Sequence, residues 1–573
     1  MRLRILGGVI FLFYFVTVLG LFNAQVTNYK IYRGLSEKNR IRILPLVSPR
    51  GKIYDRSKKL LVSNRIAFTV GVVYQELGDK EKILRILSDK LGIPEKKLSG
   101  KIEEAGINPF VPYSVADEVD KEKAIQLEEM KYKLQGVIVT ARPMRDYLYG
   151  EKLSHVTGYL GKISKEELGK FRTYGYMLQD LVGKDGLERE YNEYLRGKSG
   201  GLQVEVDSKG RQLRVLALKE PAEGKDLYLE IDLELQDFCN DVLGEKSGAI
   251  IVMDPFTGGV LALASRPGYD PNAFVSSESA GEVNKILQDR ALYPLLDRAI
   301  ACAYPPGSVF KVVVAASVLD TGKLNETKTL FCGGSYRVGN RAFKCWKKPG
   351  HGTQSIREAI KNSCNVFFYQ LGFIAGTDLL AEYARRFGFG EKTGIDLPGE
   401  SAGFVPTIAW KKETLKESWF KGETANYAIG QGYLLVTPIQ VLRMMAAVAN
   451  GGELLVPHVV DRIENVELSQ GKPQKIDING ESLEIIREGL RMVVNDPHGT
   501  GIYGRVKGVV VAGKTGTAEN SLGKAHGWFS GFAPFEGPKL CLVVFVEHGG
   551  KGGVGASMIA RKVIEKARGL GLL

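Results

Sequence analysis

What this chain has little of narrows the possibilities first. It carries six histidines and six cysteines in 573 residues, and no two cysteines form the compact C-x2-C knuckle of a metal finger. Lys and Arg outnumber Asp and Glu by 78 to 65, giving a net charge of +13, yet no basic block and no nucleic-acid recognition motif is present. Positive charge spread in this way argues against a nucleic-acid partner and suits an anionic surface such as lipid headgroups or wall polymer. The apolar run near the N-terminus is followed by Leu21-Phe22-Asn23-Ala24-Gln25, a poor small-x-small site, which argues against a cleaved signal peptide.

The run itself, residues 5–22, is 18 residues long with Tyr14 and Thr17 as its most polar members. That is enough to cross a bilayer once as a helix, so residues 1–24 are expected to be an uncleaved anchor in the cytoplasmic membrane. Arg2 and Arg4 precede it, and Lys30, Arg33, Lys38, Arg40 and Arg42 follow it. A literal positive-inside count would leave the bulk of the chain in the cytoplasm. Only four residues precede the span, and the chemistry described below belongs outside the membrane, so an extracytoplasmic catalytic part is expected against that count.

A chain of this length is too long for one core, and 44% hydrophobic with 25% charged residues is ordinary for globular protein. Tyr304-Pro305-Pro306-Gly307-Ser308-Val309-Phe310-Lys311 joins a Pro/Gly turn to an apolar run that reads as a buried helix. One helical turn separates Ser308 from Lys311, which puts a hydroxyl and an amine on one face as nucleophile and base. S-x-x-K also occurs at Ser418, Ser469 and Ser521, in polar or Gly-containing stretches with no apolar helix behind them. Nothing there would desolvate the lysine and lower its pKa.

Two more elements complete the expected site. Ser363-Cys364-Asn365 lies in a helical stretch, residues 355–373, where a helix-joining turn would point Ser363 and Asn365 one way and Cys364 the other. Lys514-Thr515-Gly516-Thr517 continues an apolar strand over 509–512, whereas the similar Lys392-Thr393-Gly394 sits among loop residues. Apolar segments at 248–253, 259–264, 528–532 and 540–546 read as further strands, the first two a hairpin, and 557–567 as a closing helix. About 240 mostly helical and loop residues separate the two strand groups, which predicts an antiparallel sheet holding a helical insert. Residues 23–235 read as short mixed segments with a charged helical stretch over 117–130 and no catalytic cluster. Pro49-Arg50-Gly51-Lys52-Ile53-Tyr54-Asp55-Arg56 and Gly183-Lys184-Asp185-Gly186-Leu187-Glu188-Arg189-Glu190-Tyr191 stand out there as scaffold turns with solvated charges.

S-x-x-K, S-x-N and K-T-G, 55 and then 151 residues apart, resemble the motif set of penicillin-binding proteins and serine β-lactamases, with S-C-N in place of S-D-N. Arg50-Gly51-x-Ile53-x-Asp55-Arg56, Gly186-Leu187-Glu188 with Tyr191, Leu195-Arg196-Gly197 and the single anchor are similar to class B, monofunctional members of that family. Thr407-Ile408-Ala409-Trp410-Lys411, Trp419, Gly422-Glu423-Thr424 and Ile429-Gly430-Gln431-Gly432 resemble the elongation, rod-shape type. The resemblance implies a multidomain α+β chain: anchor 1–24, β-rich pedestal (dimerisation-like) 25–235, and transpeptidase 236–573 with helices on both sides of an antiparallel sheet.

It also implies a reaction, the crosslinking of peptidoglycan stem peptides through an acyl-Ser308 intermediate, with covalent inhibition by β-lactams. Either Lys311, its pKa depressed with help from the Lys514 charge, or a relay would be the base; Ser363 would pass a proton to the leaving amine and Asn365 hold the substrate amide. Thr515 and Thr517 of the strand Lys514-Thr515-Gly516-Thr517 would bind the terminal carboxylate, and the backbone N–H groups of Ser308 and Thr517 the oxyanion. No cofactor is implied for catalysis. Implied partners are a SEDS-type glycosyltransferase, rod-complex scaffold proteins and the membrane. A D,D-carboxypeptidase, and a β-lactam-sensing receptor that acylates without turnover, are the alternatives on the same fold.

Cys239, Cys302 and Cys541 fall in apolar surroundings and read as small buried hydrophobes. Cys332, Cys345, His351 and Cys364 are spaced C-x12-C-x5-H-x12-C, which leaves a metal site and a Cys332 to Cys345 disulfide both open. Three thiolates and an imidazole make a set of the structural-zinc kind, and residues 331–351, with four glycines, are poor in core-forming side chains. Elongation-type relatives carry acidic, His and Cys ligands at this place, so the resemblance implies a structural zinc behind the loop of Ser363 and Asn365.

Overall fold

Gly248–Met253 (β1) shows no alternation of apolar and polar residues, and every one of its side chains is buried. A strand of that kind needs cover on both faces. In the computed structural model β1 pairs antiparallel with Val260–Arg266 (β2) on one side and Leu540–Val546 (β5) on the other. His526–Ala533 (β4) and Ala512–Ala518 (β3) extend the sheet, giving the order β2-β1-β5-β4-β3 with all pairs antiparallel. Helices Leu233–Leu243 (α1) and Gly555–Gly569 (α7) pack together against this sheet, and Pro438–Ala449 (α5), all of whose residues are buried, packs on β1, β4 and β5. The structure describes every residue except 1, 34–40, 108, 110–111, 172–175, 177–179, 207–211, 277–278, 470, 521–522 and 551.

The chain folds as two compact units. The larger takes in Gly51–Ser63, Arg145–Leu195 and Lys225–Leu573; the smaller takes in Met1–Arg50, Asn64–Met144 and Arg196–Gly224. Between β2 and β3 the larger unit carries the helical insert: Lys311–Asp320 (α2), Ile356–Lys361 (α3), Asn365–Ala375 (α4), α5 and Gly480–Asn495 (α6). Within the larger unit Arg145 and Glu188, both without solvent exposure, form a 2.6 Å ion pair, and Arg145 also donates to the Gly51 carbonyl at 2.7 Å. The two stretches read as scaffold turns from sequence are thus joined by a buried charge pair, and Glu188 is not a solvated charge.

The smaller unit has its own core, in which Ile83, Leu87, Leu98, Ile102 and Val115 are buried. The charged stretch over 117–130 is not one helix. Tyr113–Val119 is a strand, and the helix Lys121–Glu129 starts only after Asp120, because Val115, Ala116 and Val119 are needed inside while the other residues stay half-exposed. Ile41–Leu46, Gly200–Val206 and Gln212–Lys219 form a separate three-stranded antiparallel sheet. Ahead of them Arg2–Phe22 is a 21-residue helix. With its continuation it runs over residues 4–27, within which an 18-residue window has a mean hydropathy of 2.5 and none of it is buried, long and apolar enough to cross a membrane.

Candidate active site

Ser308 sits in a 3-10 turn, Gly307–Phe310, that runs straight into α2 at Lys311. Gly307 is held at φ +54, and a Cβ there would lie 2.6 Å from the Thr517 carbonyl of β3, so the nucleophile turn needs glycine to close on the strand. Its N–H donates to the Gly430 carbonyl at 2.9 Å, which brings the Ile429-Gly430-Gln431-Gly432 loop to the same place. Val309, Phe310 and residues 312–316 are buried, so Lys311 enters the interior on an apolar helix and is itself fully buried.

The S-x-N turn is built from both ends. Ser355 caps α3 by accepting from Glu358 N while the Glu358 carboxylate accepts from Ser355 N at 2.8 Å, and Cys364 caps α4 by accepting from Phe367 N at 3.4 Å. Between them Ser363 takes φ +49, a strained value for a non-glycine residue. The expected division of directions is found: Ser363 and Asn365 reach Lys311, and Cys364 turns to the other cysteines.

Two buried amines meet on that turn. Lys311 Nζ donates to the Ser363 carbonyl at 2.8 Å and to Asn365 Oδ1 at 2.7 Å, and lies 3.3 Å from Ser363 Oγ. Lys514 Nζ donates to Ser363 Oγ at 3.0 Å and to the Thr515 carbonyl at 2.9 Å. Burial pushes the Lys311 amine down to about 8, against the countervailing pull of Cys364 and Cys345. Burial first and the Lys311 charge second hold Lys514 well below the usual lysine range. Desolvation, rather than repulsion from Lys514, is therefore what depresses Lys311. The Ser308 hydroxyl makes no hydrogen bond among the described residues; Lys311 spends its protons on the S-x-N turn.

K-T-G lies inside β3, which begins at Ala512; residues 509–511 precede the strand rather than form it, with Phe535 N on the Val510 carbonyl at 2.8 Å. Gly516 is enclosed, since a Cβ would come within 2.9 Å of the Pro306 carbonyl, Trp528 and Val309. Thr517 is exposed, and its Oγ1 accepts from Gly552 N at 3.2 Å. Thr515 is buried, with its hydroxyl 3.3 Å from that of Thr500, which in turn donates to the Lys361 carbonyl at 3.1 Å. Thr500 is a neighbour that sequence reading missed; its only signal is the turn run His498-Gly499-Thr500-Gly501. Of the competing motifs, Ser418 with Lys421 and Ser469 with Lys472 are exposed, and Ser521 lies outside the described residues. Lys392-Thr393-Gly394 is a loop in which Glu400 accepts from Thr393 N and Oγ1.

Behind the turn, Cys332, Cys345, His351 and Cys364 converge, with one ligand atom from each within 4.8 Å of all the others. His351 Nδ1 is 3.7 Å from Cys332 Sγ and 3.5 Å from Cys345 Sγ. Tetrahedral ligands about 2.3 Å from a zinc ion stand roughly 3.8 Å apart, so the donor set and its spacing fit. All six cysteines are unpaired, and no Cys332 to Cys345 disulfide is formed. Cys239 and Cys541 are buried as expected, but Cys302, in contact with Tyr304 ahead of the Ser308 turn, is half-exposed.

Comparison with known proteins places the whole chain in a family. The penicillin binding protein transpeptidase domain matches residues 248–565, and the penicillin-binding protein dimerisation domain matches residues 45–229. The peptidoglycan D,D-transpeptidase MrdA of Salmonella typhimurium is 32% identical over 98% of this chain and 95% of its own length. The complex between penicillin-binding protein PBP2 and MreC from Helicobacter pylori contains a chain with a TM-score of 0.83 and 31% identity, covering 93% of this chain and 100% of that one. A structure described as the structural coordination of polymerization and crosslinking by a peptidoglycan synthase complex gives a TM-score of 0.74 and 32% identity over 99% of this chain and 98% of that one. The chain belongs to the class B penicillin-binding proteins of the PBP2/MrdA type.

Proposed function

We propose that this chain is a serine-type D-Ala-D-Ala transpeptidase that crosslinks peptidoglycan stem peptides during wall elongation and is acylated by β-lactams at Ser308. The observation that carries this reading is the convergence of Lys311, Ser363, Asn365 and Lys514, from three separate segments, on one buried turn beside the Ser308 loop.

In this mechanism Ser308 Oγ attacks the penultimate D-alanine carbonyl and its proton passes to Lys311, which burial keeps partly neutral. The oxyanion is met by the backbone N–H groups of Ser308 and Thr517. Collapse breaks the peptide bond, and the departing D-alanine amine takes a proton through Ser363, whose hydroxyl lies within reach of both amines. An acceptor amine then attacks the acyl-Ser308 ester, and Ser308 regains its proton as the crosslink forms. Asn365 holds the substrate amide; Thr517, exposed on β3, and Thr515, once its hydroxyl leaves Thr500, take the terminal carboxylate. Lys311 exchanges its hold on the S-x-N turn for Ser308 when substrate arrives, in keeping with catalytic contacts that tighten only in the complex.

Cys332, Cys345, His351 and Cys364 hold a structural zinc in this reading. Bound there, it would supply no chemistry to the reaction and would serve to hold Cys364, and with it the adjoining Ser363 turn, in place. Residues 1–24 anchor the chain in the cytoplasmic membrane with the catalytic part outside, 25–235 serve as pedestal and 236–573 as transpeptidase. A PBP2 seen with MreC, and a relative within a peptidoglycan synthase complex, support a scaffold protein and a SEDS-type polymerase as partners.

The test is the fate of a stem-peptide donor. Crosslinked product supports transpeptidation; free acid alone would make the chain a carboxypeptidase, and stable acylation without product a β-lactam receptor.

A further inference from the structure

Between Glu326 and Glu358 the chain has no acidic residue and seven basic ones. Arg357 pairs with Glu326 at 2.8 Å, but Arg337, Arg341, Lys344, Lys347 and Lys348 are exposed and make no ion pair among the described residues. Their local structure is a hairpin, Ser335–Val338 and Arg341–Lys344, turning through Gly339 and Asn340 and followed by the turn that carries Lys347 and Lys348.

The register sorts the hairpin into two faces. Tyr336 opposite Phe343 and Val338 opposite Arg341 share one face, and Phe343 is buried there against Tyr369 at 5.6 Å. Ser335 opposite Lys344 and Arg337 opposite Ala342 share the other, so Arg337 and Lys344 are diagonal neighbours of like charge. Such neighbours repel, and among the described residues no carboxylate pairs with them.

The hairpin is also braced against the catalytic turn. Trp346 Nε1 donates to the Asn362 carbonyl at 3.0 Å, one residue before Ser363. Tyr369 of α4 donates to the Lys344 carbonyl at 3.3 Å, and Cys345 belongs to the cluster that includes Cys364. A fixed cationic surface that makes no ion pair among the described residues thus adjoins the Ser363 turn.

Building on the function proposed above, we infer that this hairpin is the docking surface for the acceptor stem peptide and selects it by its free carboxylates. The donor's terminal carboxylate is assigned above to Thr515 and Thr517 on β3, which leaves the exposed cations of this hairpin, tied to the Ser363 turn through Trp346 and Tyr369, for an acceptor carrying acidic residues. Two or three charge pairs of the exposed kind set the scale of the effect at roughly three- to tenfold in acceptor KM.

The experiment uses the full-length protein in detergent, with one donor stem peptide and acceptors whose carboxylates are either free or amidated. Arg337→Glu with Lys344→Glu, and separately Lys347→Glu with Lys348→Glu, should raise KM for the free-carboxylate acceptor roughly three- to tenfold. Penicillin acylation, which needs no acceptor, should stay at the wild-type rate. The same variants should lose the salt dependence of acceptor KM and no longer prefer the free acceptor to the amidated one. Should a reversal also slow acylation, the Gln pair Arg337→Gln with Lys344→Gln is measured instead under the same criterion.

Equal KM for both acceptors in the wild type, or an unchanged KM in the variants, overturns the inference. So does binding of an anionic phosphodiester polymer that the reversals abolish while acceptor KM stays fixed. A wild-type protein that releases only free acid would overturn the transpeptidase reading instead, a result recognisably different from a KM that fails to move.

Discussion

Lys311 and Asn365 are joined by a 2.7 Å hydrogen bond across 54 positions of sequence, and this contact ties the helix behind the nucleophile to the helix that begins at the S-x-N turn. Two further donations, to the Ser363 carbonyl and hydroxyl, leave Lys311 surrounded by neutral oxygens. Burial lowers its pKa to about 8 against the pull of Cys364 and Cys345.

Ser308→Ala should abolish covalent labelling by a fluorescent penicillin without shifting the melting temperature, because Ser308 is only half-buried and its hydroxyl holds no partner. Ser418→Ala and Ser469→Ala should label like the wild type. Full labelling of Ser308→Ala would end the assignment.

The acylation rate should rise with pH through a midpoint near 8. The base must be neutral to accept the Ser308 proton, and Lys311 with its pKa lowered to about 8 loses its charge as pH rises through that value. Lys311→Arg, which stays charged, should lose acylation by several orders of magnitude at every pH. A rate that falls between pH 7 and 9 would contradict this sign.

Protein purified without chelator should contain one zinc per chain by elemental analysis. Cys332→Ser and His351→Ala should each lose it, melt at lower temperature and acylate more slowly, since the Ser363 turn is capped by Cys364. Absence of zinc from the wild type, or a Cys332 to Cys345 crosslink found by mass spectrometry, refutes the site.

Removing one half of the buried Arg145–Glu188 pair should destabilise the larger unit by about 3–5 kcal/mol, because a charge with no solvent exposure loses its ion-pair partner. Arg145→Met should therefore lower the melting temperature more than Arg145→Met with Glu188→Leu. The reverse order would mean that the pair itself contributes little.

Exchanging residues 5–22 for an unrelated membrane span should leave penicillin acylation intact and weaken co-purification with a SEDS-type polymerase. Undiminished co-purification would place that contact elsewhere on the chain.

Much of the site was legible in one dimension because its motifs are local. The i to i+3 spacing of Ser308 and Lys311, the turn that points Ser363 and Asn365 away from Cys364, and the apolar flank of Lys514 each depend on backbone geometry over a few residues. The same locality made the apolar N-terminal helix readable, and the uninterrupted apolar runs of β1 and β5 disclosed a sheet buried on both faces. Local pattern misled where tertiary demand outweighed it. Residues 117–119 look helical by charge, yet they complete a strand because Val119 is wanted in the core.

Other features exist only through contacts between distant segments. Lys311 is bound to the S-x-N turn rather than to Ser308, Thr500 lies against Thr515, Glu188 is buried on Arg145, and four ligand atoms from a C-x12-C-x5-H-x12-C spacing meet within 4.8 Å. The residues that meet at the Ser363 turn could be named from the sequence, since each motif needs only its own turn of chain. The tertiary structure alone decided which partner each buried group holds, because desolvation and hydrogen-bond satisfaction are set by segments that spacing does not connect.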